Sequence, residues 1–203
     1  SKWVHTTRRS IGRVRQAGRG LGSEFATQLL DLGGELILAD VKLESLNRFN
    51  TYSGKGKVLA LIAGDISNKE GTEKFLADVK KITPCPDMII NNAGIAQSFV
   101  RLPQVPSDEA RRIIEVDLLG VFYAMKHQIP VMERQHRTSG RGGAIVNVAS
   151  VAGITGAQKL SVYAAAKHGV VGLTRSAAAE YASKGVRINA VCPAFARTNM
   201  VHD

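Results

Sequence analysis

Short apolar runs alternate with stretches of helical pattern along most of this chain, and this alternation restricts the fold more than any other feature. The runs are rich in aliphatic residues and short enough to be buried strands. Strands that alternate with helices predict a doubly wound parallel sheet in a three-layer α/β/α arrangement. The runs are "ELILAD" (35–40), "KVLALIAGD" (57–65), "DMIINNAG" (87–94), "GGAIVNVAS" (142–150) and "VRINAVCP" (186–193).

Helix start and stop signals lie between these runs. A helix is predicted over 67–81, with Ser67 as its N-cap and Glu70 completing a capping box. A longer helix is predicted over 107–135. Pro130 lies inside that second pattern and predicts either a kink or an early end.

The positive charge of the chain is concentrated at its start. Six of the 27 basic side chains precede the first acidic residue, Glu24, within a formal net charge of +10. The remainder has a balanced charge and lacks a basic patch interleaved with aromatic residues, so no nucleic-acid partner is expected. Residues 1–15 are interpreted as an atypical first-strand region or a basic tail, with an organellar transit segment as the alternative.

Length and cysteine content indicate the class of protein. A chain of 203 residues fits a single domain over 1–203. No apolar run approaches the roughly 18 residues that span a bilayer, so no membrane partner is expected. The two cysteines, Cys85 and Cys192, lack metal-ligand spacing. Free thiols, a cytoplasmic location and no metal site are therefore expected.

Three glycines and a later acidic residue form the first candidate functional feature. Gly18, Gly20 and Gly22 precede a helical stretch and the run at 35–40, which ends at Asp40. Glycines at a strand-to-helix turn let the backbone approach a pyrophosphate, which the helix N-terminus attracts. An acid about twenty residues later can bind both hydroxyls of an adenosine ribose. The pattern indicates a dinucleotide site, and a purely structural turn is the alternative.

These residues resemble the fingerprint of the short-chain dehydrogenase/reductase family, a group with a Rossmann fold. The fingerprint Thr-Gly-x-x-x-Gly-x-Gly aligns Gly20 and Gly22 with its second and third glycines. Gln16 stands at the first glycine and Arg15 at the threonine. In the family the first glycine makes the tight turn out of the strand. Its replacement by Gln16 is therefore expected to alter the N-terminal edge of the cofactor site.

The resemblance implies a nicotinamide dinucleotide as cofactor. Asp40 would repel a 2′-phosphate and favours NAD, whereas Arg19 stands where a base in this family often accompanies NADP. We therefore expect NAD, with NADP as the alternative. Further residues match family positions that contact the adenosine or the nicotinamide. Together the implied cofactor residues are Gly18, Arg19, Gly20, Leu21, Gly22, Asp40, Asp65, Ile66, Asn92, Ala93, Gly94, Tyr163, Lys167 and Thr198.

A tyrosine and a lysine four residues apart lie in a third predicted helix, over 161–184. Tyr163 and Lys167 share one helical face, so both can point into one cleft. A phenol ordinarily titrates near pH 10, and a nearby ammonium and a positively charged nicotinamide favour the phenolate. A surface tyrosine–lysine pair is the alternative. The family motif Tyr-x-x-x-Lys, 13 positions after Ser150 as is usual in the family, favours a catalytic pair.

Two more residues complete the site that the resemblance implies. Ser150 ends a predicted strand and would donate a hydrogen bond to the substrate oxygen. Asp117 stands where the family carries an asparagine that binds a water of the proton relay. Aspartate can accept a bond from that water, yet it lacks the amide donors and adds a negative charge. The catalytic candidates are Ser150, Tyr163, Lys167 and Asp117.

The sequence thus predicts an oxidoreductase that transfers a hydride between a nicotinamide cofactor and a secondary alcohol or ketone. Tyr163 would be the acid/base group. The segments at 95–100 and 151–158 would line the substrate pocket. Their small, mostly apolar residues predict a modest alicyclic or aliphatic substrate.

The alternative is a catalytically impaired nucleotide-binding or interaction protein of the same family. Gln16, Asp117 and Ala194, which replaces the glycine of the family's Pro-Gly-x-x-x-Thr motif, support it. The resemblance also implies a homodimer or homotetramer. Because the sequence stops at Asp203, the last strand and helix of the family are expected to be missing.

Overall fold

The computed structural model describes residues 11–15, 17–18, 20–65 and 67–194, which form a six-stranded sheet flanked by helices. The strands are β1 (Ile11–Arg15), β2 (Glu35–Asp40), β3 (Lys57–Ala63), β4 (Met88–Asn91), β5 (Gly143–Val148) and β6 (Val186–Val191). The helices are α1 (Gly20–Asp31), α2 (Lys69–Ile82), α3 (Ser107–Ile113), α4 (Gly120–Ser139) and α5 (Ser161–Tyr181). A π-helical segment, Ile114–Leu119, joins α3 to α4, and 3₁₀ turns lie at Leu43–Phe49, Leu102–Gln104, Val151–Gly153 and Ala182–Lys184.

The strand order places a reversal of chain direction at the centre of the sheet. The order is β3-β2-β1-β4-β5-β6, and every neighbouring pair is parallel. The chain moves outward from β1 to β3 and then returns through α2 to β4, on the other side of β1. Open α/β sheets form a ligand-binding crevice at the carboxyl ends of the strands at such a point. The predicted doubly wound fold is confirmed.

The first strand lies at the centre of the sheet although its sequence is a poor match to a buried strand. The backbone of β1 pairs with β2 on one side and with β4 on the other. Val14 within it is fully buried. Two ladders of hydrogen bonds stabilise a central strand, so neighbours can outweigh a weak local pattern. Residues 11–15, predicted as either strand or tail, are a strand.

The start of α2 corrects one predicted cap. The N-cap is Asn68 rather than Ser67, and its Oδ1 accepts a hydrogen bond from the Gly71 N–H at 2.7 Å. Ser67 precedes the helix, in a turn where its own N–H donates to Asp65 Oδ1 at 2.8 Å. An aspartate that binds the backbone two residues later forms an Asx-turn. This turn shifts the helix start to Lys69.

The long helical region ends later than predicted. Pro130 lies inside α4, which continues to Ser139, so the predicted early end is wrong. A proline inside a helix removes the hydrogen bond to the carbonyl four residues earlier. Here that carbonyl belongs to Lys126, and both residues are exposed, so water can satisfy it. Gly140 ends the helix in a left-handed conformation, with φ of 70°.

Helices bury both faces of the sheet. On one face α1 and the turn Leu43–Phe49 pack against the strands, and on the other α2, α4 and α5 do so. Burial on both faces explains why the strands read as near-continuous apolar runs. The first face includes Val14, Leu30, Leu36, Leu38, Leu46 and Phe49, and the second includes Ile37, Phe75, Ile89, Met132, Ile145, Val170 and Ile188.

A buried amide network holds β4, β5, α4 and α5 together. Asn91 Nδ2 donates to Asn147 Oδ1 at 2.9 Å, and Gln128 Nε2 donates to Asn91 Oδ1 at 3.0 Å. Asn147 Nδ2 in turn donates to Thr174 Oγ1 at 2.9 Å. All four side chains are at most 3% exposed. A satisfied polar network in such a place specifies how these elements pack.

We predict that Asn147→Leu lowers the free energy of unfolding by about 2–3 kcal/mol, because the buried Asn91 Nδ2 and Thr174 Oγ1 lose their hydrogen bonds with Asn147. Urea unfolding monitored by circular dichroism measures this change. Asn189→Leu, on the exposed side of β6, is the matched control and should change stability by less than about 0.5 kcal/mol. Equal losses in the two variants would contradict a stabilising role for the network.

Candidate active site

The glycine turn lies at the carboxyl end of β1, beside the end of β2. The Gly18 N–H donates to Asp40 Oδ2 at 3.2 Å, and the Lys42 N–H approaches Asp40 Oδ1 at 3.3 Å. A Cβ built on Gly18 would lie 2.3 Å from the Cβ of Ser45, so only glycine fits there. Gly20 begins α1 with φ of 55°, a conformation that glycine adopts at little cost.

This turn has the features that a dinucleotide requires. The N-terminus of α1 carries a partial positive charge, and no acidic residue in its first turn neutralises that charge. Leu21 and Gly22 belong to the same turn of helix. Asp40, only 2% exposed, ends the neighbouring strand, as the predicted ribose ligand should. These residues therefore fit a bound dinucleotide.

The turn after β4 reaches the centre of the candidate site. Asn92, Ala93 and Gly94 follow the strand directly. A Cβ built on Gly94 would lie 3.1 Å from Lys167 Nζ and 3.2 Å from Asp117 Oδ2. The backbone of this turn thus packs closely on a charged pair, and glycine makes room for it.

That pair is a buried ion contact between α5 and the π-helical segment. Lys167 Nζ lies 3.2 Å from Asp117 Oδ2, and the two side chains are 4% and 0% exposed. Asp117 Oδ1 accepts a hydrogen bond from the Ile95 N–H at 2.8 Å. Lys167 Nζ also approaches the Val148 carbonyl oxygen at 3.4 Å. One ammonium therefore connects the end of β5, the helix junction and α5.

Burial changes the acidity of Asp117. Removal from water raises the pKa of this carboxyl above its ordinary value. The Lys167 ammonium and the Ile95 N–H oppose that rise without cancelling it. An asparagine at this position would avoid the cost of burying a charge, but it would give the ammonium no counter-charge.

Tyr163 lies close to Lys167 on α5, and Ser150 begins a turn that packs against the same helix. The Lys167 Nζ is 5.5 Å from the centre of the Tyr163 ring, and the ring is partly exposed. Ser150 caps the turn Val151–Gly153, where its Oγ accepts the Ala152 N–H at 3.2 Å. A Cβ on Gly153 would lie 2.7 Å from the Lys167 carbonyl oxygen, so this turn packs directly on α5. Hydroxyl, phenol and ammonium groups therefore come from adjacent elements.

Gln97 is a site residue that sequence reasoning missed. Its Oε1 accepts hydrogen bonds from the N–H groups of Val162 and Tyr163, at 2.9 and 3.0 Å. Its Nε2 donates to the carbonyl oxygen of Lys159 at 3.2 Å. In the sequence, Gln97 appears only as one residue of a predicted pocket wall. Its partners are more than sixty residues away, so no local pattern could have found it.

Apart from the glycine turn, Asp40, Asn92 and Ala93, whose places are given above, the predicted site residues divide into three groups. Asp117, Tyr163, Lys167 and Gly94 meet at the carboxyl ends of β4 and β5, and Ser150 lies on the turn that packs against them. Asp65 is exposed at the end of β3 and accepts a bond from the Ser67 N–H. The remaining predictions, for Arg19, Ile66 and Thr198, and the Gln16 departure lie outside the described residues.

Fold and site together define a dinucleotide-binding α/β protein with a tyrosine–lysine pair at its crevice. The family model described as "short chain dehydrogenase" matches residues 14–203. The chain belongs to the short-chain dehydrogenase family. This membership confirms the predicted family, its Rossmann fold and the predicted class, an oxidoreductase.

Relatives and solved structures agree with this assignment. Cyclohexanol dehydrogenase from Acinetobacter sp. (strain SE19) is 35% identical over 197 residues, covering 94% of this chain and 74% of the relative. The crystal structure of levodione reductase is 34% identical with a TM-score of 0.87, covering 95% of this chain and 74% of that one. NAD⁺-bound xylitol dehydrogenase is 27% identical with a TM-score of 0.85, covering 92% and 70%. The expected cofactor, NAD with NADP as the alternative, fits matched structures that hold either one.

The part of the chain that the structure describes has neither a membrane-spanning helix nor a metal-binding cluster. None of the helices within 11–194 that the structure describes has the length and apolar character to cross a bilayer. Over the same described ranges, no three His, Cys, Asp or Glu side chains are grouped so that they could hold a metal ion.

We predict that Asp117→Asn becomes increasingly favourable to stability, relative to the parent, as the pH rises from about 4. The raised pKa of Asp117 means that the folded state keeps its proton at pH values where the unfolded state, near pKa 3.9, has lost it. The parent therefore loses stability as the pH rises through this window. The Asp117→Asn variant lacks this loss because the asparagine side chain does not ionise. Thermal unfolding of both proteins from pH 4 to pH 8 measures the difference.

Asp78→Asn is the matched control for this experiment. A hydrogen bond from Lys81 lowers the pKa of Asp78, so this carboxyl is ionised in both the folded and the unfolded state over most of the range from pH 4 to pH 8. The stability difference between Asp78→Asn and the parent should therefore stay nearly constant over that range. A pH-independent difference between Asp117→Asn and the parent would show that the buried carboxyl does not titrate differently in the two states.

Proposed function

We propose that this chain oxidises a secondary alcohol, or reduces the ketone, with Tyr163 as the acid/base group and NAD as the cofactor. The observation that carries the proposal is the burial of the Lys167 ammonium between Asp117, the Val148 carbonyl and the Tyr163 ring. A buried lysine needs a compensating environment, and such environments concentrate at functional sites. A bound nicotinamide would supply the hydride acceptor or donor.

Each catalytic residue has a distinct proposed role. The Tyr163 hydroxyl exchanges a proton with the substrate oxygen, and the Lys167 ammonium lies beside it, with Nζ 5.5 Å from the ring centre. The Ser150 hydroxyl donates a hydrogen bond to the same substrate oxygen. Asp117 provides the counter-charge of Lys167 and can accept a bond from a relay water. The Lys167 ammonium would also bind the ribose next to a bound nicotinamide.

The cofactor would lie across the switch point of the sheet. The glycine turn and the first turn of α1 would hold the pyrophosphate through N–H groups. Asp40 would accept both ribose hydroxyls and disfavour a 2′-phosphate, because two negative charges repel at short distance. The remaining adenosine and nicotinamide contacts are assigned to the residues that the sequence predicts. These are Arg19, Asp65, Ile66, Asn92, Ala93, Gly94 and Thr198.

The substrate is proposed to be a small alicyclic or aliphatic alcohol or ketone. Its pocket would be bounded by the segments at 95–100 and 151–158. Phe99 and Ile154 in these segments are 65% and 56% exposed, so they offer apolar surface to a ligand. Cyclohexanol dehydrogenase and levodione reductase act on compounds of this size, as their names state. They favour this enzyme function over a catalytically impaired binding protein.

The outer surfaces of α4 and α5 are the proposed contact between subunits. We propose a homodimer or homotetramer through the outer surfaces of α4 and α5, working in the cytoplasm as one domain over 1–203. Gly172 on α5 has no neighbouring atom within 4 Å of the position of a Cβ, so a second helix could approach there. Cys85 and Cys192 do not form a disulfide with each other, which is consistent with a reducing compartment. A small-molecule substrate, rather than a nucleic acid, accounts for the site.

We predict that Tyr163→Phe lowers kcat by at least about a hundredfold, because it removes the proton-transfer group but keeps the ring. Following NADH formation with cyclohexanol and related secondary alcohols measures this loss. Tyr181→Phe is a matched control, since Tyr181 also pairs with a lysine on the same chain segment, with Lys184 Nζ 4.8 Å from its ring centre. Full activity of Tyr163→Phe would refute the mechanism.

We predict that NADH binds at least about tenfold more tightly than NADPH, because of the negative charge of Asp40. Fluorescence titration of the two reduced cofactors measures the ratio. Asp40→Asn keeps an oxygen for the Gly18 N–H but removes the charge, so it should reduce the preference. Asp31→Asn, at the exposed end of α1, should leave it unchanged. A parent protein that prefers NADPH would contradict the assignment of Asp40.

A further inference from the structure

The helix that carries Tyr163 and Lys167 begins without a cap of its own. The N-cap residue of α5 is Leu160, whose side chain cannot accept a hydrogen bond. The Ser161 hydroxyl, at the first helical position, is buried and makes no hydrogen bond to the described residues. The first N–H groups of a helix have no intrahelical partner, and side chains that satisfy them usually come from the N-cap position. The start of α5 therefore depends on another segment.

The side chain of Gln97 supplies that cap from the loop after β4. Its Oε1 accepts the N–H groups of Val162 and Tyr163, at 2.9 and 3.0 Å, which are the second and third residues of α5. These are the two positions that an ordinary N-cap side chain satisfies. Gln97 is 5% exposed, so water does not compete easily for these bonds.

The nitrogen of the same amide bonds to Lys159, the residue before the N-cap of α5. Gln97 Nε2 donates to the carbonyl oxygen of Lys159 at 3.2 Å. Lys159 is the only non-glycine residue with a positive φ in the described part of the chain, at 63°. A lysine there costs about 1 kcal/mol or more, and surrounding structure has to maintain it. One side chain thus stabilises the strained entry to α5 and its first turn.

Gln97 also belongs to the segment that would contact the cofactor. It lies three residues after Gly94, whose backbone packs on Lys167 and Asp117. The Ile95 N–H, between them, donates to Asp117 Oδ1 at 2.8 Å. The turn after β4 is therefore bonded to the π-helical segment through Ile95 and to the start of α5 through Gln97. These bonds fix the position of the turn after β4 relative to the backbone of Tyr163.

We propose that Gln97 is a positioning residue for the proton transfer by Tyr163, a role that rests on the proposed function. Its bond to the Tyr163 N–H holds the backbone of the acid/base residue at a set distance from the turn after β4. Without this bond the first turn of α5 would fray, and the phenol would lose its alignment with the substrate oxygen. A displacement of about 1 Å in an active site can reduce turnover a hundredfold.

Three variants test this role in the full-length protein. Gln97→Met keeps the length of the side chain but removes both the acceptor and the donor. Gln97→Glu keeps an acceptor for the two N–H groups. Asn68→Ala removes the side-chain cap of α2, so it is a matched loss of a helix cap elsewhere. Steady-state kinetics at saturating NAD, NADH binding and thermal unfolding are measured for each.

We expect Gln97→Met to lower kcat by at least about tenfold. The KM for the alcohol and the Kd for NADH should change by less than about threefold. Gln97→Glu should keep kcat within about threefold of the parent value. Asn68→Ala should lower Tm by a few degrees, as Gln97→Met does, and keep kcat within about twofold. The proposal is overturned if Gln97→Met keeps kcat within twofold, or if Asn68→Ala loses as much kcat.

Amide hydrogen exchange provides a readout that does not need turnover. In Gln97→Met the amides of Val162 and Tyr163 should exchange at least about tenfold faster than in the parent, and in Asn68→Ala they should not. Unchanged exchange in Gln97→Met would overturn the proposal. If the parent turned over no alcohol, the proposed function would fail, whereas these exchange rates would still show whether the Val162 and Tyr163 N–H groups donate to Gln97.

Discussion

The buried ammonium of Lys167 is the constraint on which the rest of the site depends. A charge removed from water costs several kcal/mol unless a partner compensates for it. The partners here are a carboxylate oxygen of Asp117 at 3.2 Å and the carbonyl oxygen of Val148 at 3.4 Å. One comes from the junction between two helices and the other from the end of β5. The site can therefore form only where these elements have already packed against α5.

The π-helical segment explains how Asp117 reaches this position. Such segments widen a helix locally and occur often at functional sites. In this chain the segment Ile114–Leu119 places the fully buried Asp117 beside Ile95 and Lys167. Gly94 then allows the turn after β4 to lie within contact distance of both charges. The π-helical segment, the turn at Gly94 and the buried Lys167 therefore pack together.

The fold and the central site residues could be predicted from the sequence because their signals are local. Strand-like runs gave five of the strands, and a four-residue spacing placed Tyr163 and Lys167 on one face. β1 was difficult because its place comes from pairing with two neighbours rather than from its own pattern. The choice of Asn68 over Ser67 depends on one turn. The role of Gln97 depends on contacts across 65 and 66 residues, which no short pattern encodes.

The position of Gln97 in the chain separates a bonded segment from an exposed one. Asn91, Gly94, Ile95 and Gln97 contact strands, charges or the start of α5, whereas the stretch that follows carries exposed Phe99 and Leu102. Substitutions at exposed positions after Gln97 would change the proposed substrate surface without removing the bonds that hold the start of α5. Such a division would separate the choice of substrate from the placement of the proposed proton-transfer group.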